Sequence, residues 1–370
     1  MTTQLILKSE ARGHGLSQGG AAMSGPLYVP VLPTRPHAAA AYEQLSPAIQ
    51  AAVMPLWNLP PRSGRPEELL IAYTRREAHA ASKVQRHLPG WLDAPFADET
   101  QLAVLADVMS DLGELSPLRP VTGPGRPEFQ QTAALETARR SGSGVGIRVT
   151  LAGEWDDDVA QTVRDLLARV DPVVETDLLL DLGTVRADRP DAGKEALRAL
   201  DALMPLTPWR TAAALSGGFP EVTADMLEQG LRPEPRADWH VWRELTASDR
   251  GYVPWLSYGD YGIQPARMIG REPASGRGGP AWGVLRYTTE ESFVLGKMLA
   301  RGEDRTAVNR AAARQILELP DFRGATASAG ESWLRDCARG HGSAGTGNAA
   351  VWLRVGNVQH MTHVVRSLGA

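Results

Sequence analysis

The stretch "VGIRVTLAGEWDDDVAQTVRDLLARVDPVVETDLLLDLG" (145–183) decides how the chain is read. Its ends, "VGIRVTL" (145–151) and "TDLLLDLG" (176–183), are short β-rich apolar runs. Between them, "EWDDDVAQTVRDLLARV" (154–170) has an acidic first turn, suited to the positive end of a helix, and an apolar stripe of Val159, Val163, Leu166, Leu167 and Val170. Strand, helix and strand in that order make one unit of a parallel sheet. The unit recurs in both directions. Further strands are expected at "LYVPVL" (27–32), "AVMPLWNL" (52–59), "GWLDAP" (90–95), "PLRPVT" (117–122), "RTAAAL" (210–215) and "YVPWLSYG" (252–259), with a further helix at "DAGKEALRALDALM" (191–204). Eight strands is the count that closes a barrel, so the expected fold class is α/β, a (β/α)8 TIM-like barrel. An open doubly wound sheet is the alternative.

Prolines crowd the third and fourth strands, and Pro60 to Pro89 reads as irregular. After the eighth strand the pattern changes. Residues 266–283 are loop-like, and "GVLRYTTEESFVLG" (283–296) reads as a strand or hairpin. Helices follow at "RTAVNRAAARQILEL" (305–319), "GESWLRDCAR" (330–339) and Ala349 to Leu368, the last two separated by the glycine-rich "GHGSAGTGN" (340–348). The expected organisation is a flexible leader over 1–25, a barrel over 26–265, and a mainly helical C-terminal extension over 266–370 packed on the barrel.

The composition narrows the partners. With 43% hydrophobic residues in 370, the chain has the material for a large core. A net charge of -4 and a pI near 6.1 do not favour nucleic acid. No apolar run approaches membrane-spanning length, and the leader's own apolar run is too short for a signal peptide, so a cytoplasmic location is expected. The single cysteine, Cys337, forms no intrachain disulfide, fits a reducing compartment, and reads as a buried inert thiol on a helix.

Barrel chemistry gathers at the carboxyl ends of the strands. That rule selects Arg35, Asn58, Asp93, Arg148, Glu154, Asp181, Ser216, Tyr258, Asp260 and Tyr261. Arg148 shares a strand face with Thr150, and a guanidinium there needs a carboxylate, for which Asp181 on the adjacent strand is the natural partner. The pair either fixes the barrel's register or leaves Arg148 to bind an anion. Asp260, between Gly259 and Tyr261-Gly262, is read as a turn cap, or as a general base, cation ligand or partner of Arg286. Ser216-Gly217-Gly218 follows the seventh strand, where barrels bind phosphate with backbone amides. "GPGRP" (123–127) lacks the lysine-serine ending of a phosphate loop. His360 and His363 share one helix face, but without a placed carboxylate or cysteine they make an incomplete metal site, and a capping or interface role is expected.

Four motifs together resemble the bacteriophage-named beta-protein family: "YVPVLPTRPHAAAAYEQLSPAIQAAVMPLWNLP" (28–60), "LSYGDYGIQP" (256–265), "LRYT" (285–288) and "WLRVGNVQHMTHVV" (352–365). The resemblance runs from about Leu27 to Leu368. It implies an architecture and a loose association with phage response, and no established reaction. Leu32-Pro33 stands where the resemblance implies a Leu-Lys pair, and Asn58 where it implies an acidic residue. These departures put in doubt any activity that depends on those positions. The expected function is binding or acting on a phosphate-bearing or nucleotide-like ligand at the barrel mouth. Arg35, Arg148 and Arg286 would meet the anion, with Asn58, Ser216, Tyr258, Tyr261 and Tyr287 completing the binding set. Asp260 and Asp181 are the catalytic candidates, and no particular cofactor is indicated. The alternative is a non-catalytic scaffold for a protein partner. Two expectations are specific: Arg35, Asn58, Asp181, Asp260 and Arg286 reach one cavity, and Asp260→Asn removes function while leaving the fold intact.

Overall fold

The structure is a computed structural model that describes residues 25–62, 65–111, 117–151, 153–272, 279–341 and 345–369. Of the expected leader, residues 1–24 lie outside the described residues. Strands β1 (Tyr28–Pro33), β2 (Leu56–Asn58), β3 (Gly90–Asp93), β4 (Leu118–Thr122), β5 (Val145–Thr150), β6 (Thr176–Thr184), β7 (Thr211–Gly217) and β9 (Leu256–Asp260) form a closed parallel barrel in that order. The final strand closes it by pairing Tyr258 with Ala214 of β7 on one side and with Tyr28 of β1 on the other. With helices alternating between the strands, this is a (β/α)8 TIM barrel, and its eight strands fall at the eight expected runs.

Side-chain alternation sorts each strand into an inner and an outer face. Val29, Val31, Leu56, Trp91, Val121, Leu179, Ala213 and Leu215 form the apolar filling of the barrel. The intervening residues, such as Ile147, Val149, Leu178 and Leu180, pack outward against helices including α6 (Asp158–Leu167) and α7 (Ala192–Leu203). At the amino end of the barrel, Asp177 accepts hydrogen bonds from Trp91 Nε1 (2.9 Å), Arg119 Nη1 (3.0 Å) and Arg210 Nη2 (2.6 Å). This closes the end that barrels use for stability.

The region from Pro60 to Pro89 holds an 18-residue helix, α3 (Glu67–Val84), where an irregular segment was expected. Its buried face is Leu70, Thr74, Glu77, Ala78, Ala81 and Ser82, mostly small or polar, so little apolar periodicity announces it.

A second, antiparallel sheet stands beside the barrel: β10 (Trp282–Thr288), β11 (Ser292–Leu299) and β8 (Arg232–Pro235). One strand of this sheet is therefore supplied from the connection between β7 and β9, ahead of residue 266. Helices α9 (Arg305–Leu317), α10 (Ala329–Arg339) and α11 (Ala349–Leu368) complete the C-terminal part. Ser328 Oγ caps α10 by accepting from the amides of Gly330 and Glu331, and Asn348 caps α11 by accepting from Val351. Helix α11 is buried on nearly all sides. Val358, Met361, Val364 and Val365 join a core with Tyr28, Tyr42 and Trp57 of the barrel side, while Trp352 and Val355 join a core with Leu285 and Tyr287 of β10. No helix among the described residues is long and apolar enough to cross a membrane.

Candidate functional site

The carboxyl end of the barrel is organised by Arg148, which points inward from β5. Its Nε and Nη2 donate to Asp181 Oδ2 at 3.0 and 2.6 Å, Nη1 donates to Asn58 Oδ1 at 2.9 Å and Asp93 Oδ2 at 2.6 Å, and Nη2 also reaches Tyr261 Oη at 2.9 Å. A guanidinium has five N–H donors, and this set occupies all of them. Burial works against the charge on Arg148, but Asp181, Tyr261 and Asp93 outweigh it and hold the pKa above its ordinary value. Asp181 is saturated as well, since it also accepts from Tyr261 Oη (2.7 Å) and from the Gly183 amide (2.9 Å). Burial, then Asp181, raises the pKa of Tyr261, which keeps its hydroxyl a donor. Of the two readings of Arg148, the geometry fits the interior ion pair: no donor is left for an anion.

Above this floor lies a cavity of about 360 Å³. Its walls come from the end of β5 and from the loops that follow β3, β4 and β9, and include Phe96, Arg126, Thr150, Arg267 and Ile269. Arg126 is held by one nitrogen, Nη2, which contacts both oxygens of Asp93 at 3.1 and 3.0 Å. Its other donors have no partner among the described residues. Arg267 is paired with Glu221. Phe96 is 47% exposed, unusual for a large aromatic ring beside a cavity. Sequence reasoning singled out neither Phe96 nor Arg126. The signal for Arg126 was present in "GPGRP", whose short glycine-proline turn after β4 aims the arginine over the mouth.

Asp260 is elsewhere. In the β9 register its side chain faces outward, away from the cavity, into the seam between the barrel and α11. There it accepts from Tyr28 Oη (2.5 Å), lies 2.9 Å from Tyr258 Oη, accepts from the Gly262 amide (2.8 Å), and meets His360 Nε2 at 2.9 Å. His360 Nδ1 is 2.9 Å from Thr288 Oγ1 on β10. Arg236 and Asp238, at the start of α8 (Ala237–Thr246), extend the network through Tyr258 Oη at 3.2 and 2.5 Å. Burial opposes the Asp260 carboxylate, but His360, Tyr28 and Arg236 hold its pKa below the ordinary range. Every member is buried, so the network bonds β1, β9, β10, α8 and α11 together and is open to no ligand. The partner of Asp260 is His360, not Arg286.

The remaining candidates separate. Arg35 donates to the Arg271 carbonyl at 3.1 Å, in the segment that follows β9. Arg286 sits on β10 beside Phe219, its guanidinium 5.5 Å from the ring centre. Ser216 is buried, and Gly218 lies so close to α8 that a β-carbon would be 2.0 Å from Asp238 Oδ1, so the loop packs against a carboxylate, which disfavours a phosphate. Tyr287 is buried in the extension, its hydroxyl 3.3 Å from the Asp321 carbonyl. Thus Asn58, Asp181, Arg148 and Tyr261 come together, while Asp260, Tyr258, Ser216 and Tyr287 lie outside the mouth.

The model of the family described as "Beta protein" matches residues 28–366. No curated protein matches the chain. Among solved structures, a muconate cycloisomerase variant is similar at 10% identity with a TM-score of 0.34, over 75% of this chain and 64% of that one. An O-GlcNAc hydrolase mutant from Thermobaculum terrenum is similar at 12% identity with a TM-score of 0.33, over 63% of this chain and 54% of that one. The chain thus spans less than two thirds of the length of either.

Proposed function

We propose that this chain, which belongs to the Beta protein family, binds a small phosphate-bearing or nucleotide-like ligand at the carboxyl mouth of its barrel without turning it over. The observation that carries this reading is the pairing of Arg126, with unused donors, and the exposed ring of Phe96 around one cavity of about 360 Å³. An arginine fork suits a phosphate and an aromatic face suits a base or sugar ring. The floor beneath argues for binding over catalysis. A general base needs a lone pair directed at substrate, and the Asp181 oxygens already accept from Arg148, Tyr261 and Gly183. Asn58, Asp93 and Arg148 then act as a rigid support that keeps the loops in place. In the phage-response setting that the family resemblance implies, such a barrel would sense a nucleotide signal.

The test is calorimetric titration of the full chain with a panel of nucleoside monophosphates and cyclic nucleotides, with mass spectrometry of the recovered ligand. Binding of at least one, weakened about tenfold or more by Arg126→Ala and by Phe96→Ala, with the ligand recovered intact, is the expected result. A wild-type protein that binds none of them at millimolar concentration removes this reading. A charge-paired floor is equally what a protein-interaction scaffold would have, and that is the reading such a result would leave.

A further inference from the structure

Arg286 is a cation with no carboxylate partner among the described residues. It is half-buried on β10, and its Nη1 donates to the Val284 carbonyl at 2.9 Å. Its Nε is buried without a partner, and its Nη2 has none among the described residues. Arg119, Arg126, Arg148, Arg210, Arg236 and Arg267, by contrast, are each held by a carboxylate. The charged or titratable groups around it offer no relief. His37 is influenced by both Arg35 and Arg286, and burial together with those two arginines lowers its pKa to about 4, so it stays neutral. Burial likewise lowers Arg286 to about 10, with no carboxylate to offset it.

A desolvated guanidinium without an anion is costly, and folds rarely keep one without a use. A guanidinium with unused donors suits the oxygens of a planar anion. Arg286 lines a groove of about 570 Å³ between the segment following β9 and the second sheet. Phe219, Met268, Trp282, Val284 and Leu353 line that groove, so its walls are largely apolar. Arg267 lines both this groove and the mouth cavity, which makes the two sites neighbours with separate floors.

We propose that this groove is a second ligand site, which takes a carboxylate attached to an aromatic or other apolar body, with the carboxylate on the Arg286 guanidinium and the body against Phe219, Met268 and Trp282. The phosphate-bearing ligand of the mouth is held by Arg126, and this site is independent of it. The apolar lining excludes a free inorganic anion as the main occupant, since little besides Arg286 and the rim arginines would bind it.

The experiment titrates the full chain with 2-naphthoate and with its uncharged analogue 2-naphthamide, following heat and tryptophan fluorescence. Wild type is expected to bind naphthoate saturably, and both the amide and the Arg286→Met protein are expected to show affinity lower by about tenfold or more. Arg286→Met should fold, because it removes an unpaired charge. If it does not, Arg286→Lys keeps the charge and loses the planar guanidinium, and the same weakening is expected. Arg126→Ala should leave naphthoate affinity unchanged, so failure at the mouth and failure here are read separately. Equal affinity for naphthoate and naphthamide, naphthoate binding unchanged by the Arg286 substitutions, or no naphthoate binding by wild type would each overturn the assignment.

Discussion

His360 Nε2 lies 2.9 Å from Asp260 Oδ2, and this contact ties the C-terminal helix to the closing strand of the barrel across 100 residues of sequence. The histidine's other nitrogen meets Thr288 on the second sheet, so one imidazole bonds three elements whose packing defines the seam. The C-terminal part is therefore bonded to the barrel at a buried polar centre as well as by apolar contact.

Asp260→Asn is accordingly expected to destabilise the fold, contrary to the expectation drawn from sequence. The amide would put a donor where one of the carboxylate oxygens now accepts from Tyr28, or from the Tyr258 and His360 side. Breaking such a buried charged network costs about 3–5 kcal/mol. Urea denaturation followed by circular dichroism measures it. A loss below about 1 kcal/mol would show that the seam tolerates an amide.

Arg148→Lys should be as damaging, by about 3–5 kcal/mol, because an ammonium cannot span Asn58, Asp93, Asp181 and Tyr261 together and leaves buried carboxylates underpaired. Arg126→Ala removes an arginine that is bonded only to Asp93, so it should cost less in the same denaturation assay while weakening the mouth ligand. Equal stability losses for the two variants would contradict the division into support and binding group.

Stability should fall on mild acidification. Burial, followed by Arg323 and Arg236, depresses His363 to about 2 from an ordinary value of 6.5. Below pH 6.5 the unfolded chain takes up a proton that the folded chain refuses, so the unfolded state gains. The contribution of His363 is therefore complete above pH 6.5 and shrinks by about 1.4 kcal/mol for each unit below it, or about 2 kcal/mol at pH 5. His37, depressed to about 4 chiefly by burial, acts in the same direction down to that pH. Urea midpoints between pH 7.5 and 5 test this, and His363→Gln should flatten the slope. A slope identical to wild type would exclude His363 as its source.

The barrel was legible in the sequence because its signal is local. Each strand is buried on both faces and so appears as a short apolar run, and helices such as α6 carry their stripe within ten residues. Helix α3 was illegible because small and polar residues fill its buried face, and β8, "RPEP", is short, mostly exposed, and recognisable only by its pairing with β11.

The candidate site was partly legible for the same reason. Alternation along β5 and the adjacency of β6 were enough to demand a partner for Arg148 and to name Asp181. What sequence could not fix is which side of a strand end faces the mouth. Asp260 and Tyr261 are neighbours in the chain, yet one faces the outer seam and the other the interior, because successive side chains alternate and the closed barrel gives those two directions different surroundings. Likewise, whether an arginine is spent or available depends on carboxylates brought near it from distant strands. That is how Arg148, expected to meet an anion, has every donor occupied, while Arg126 keeps unused donors and Arg286 has no carboxylate among the described residues. The sequence by itself determined the strands, their order and the need to neutralise a charge inside the barrel. Tertiary structure alone decided which charges cancel, because cancellation depends on distances between residues that the chain keeps far apart until the barrel closes.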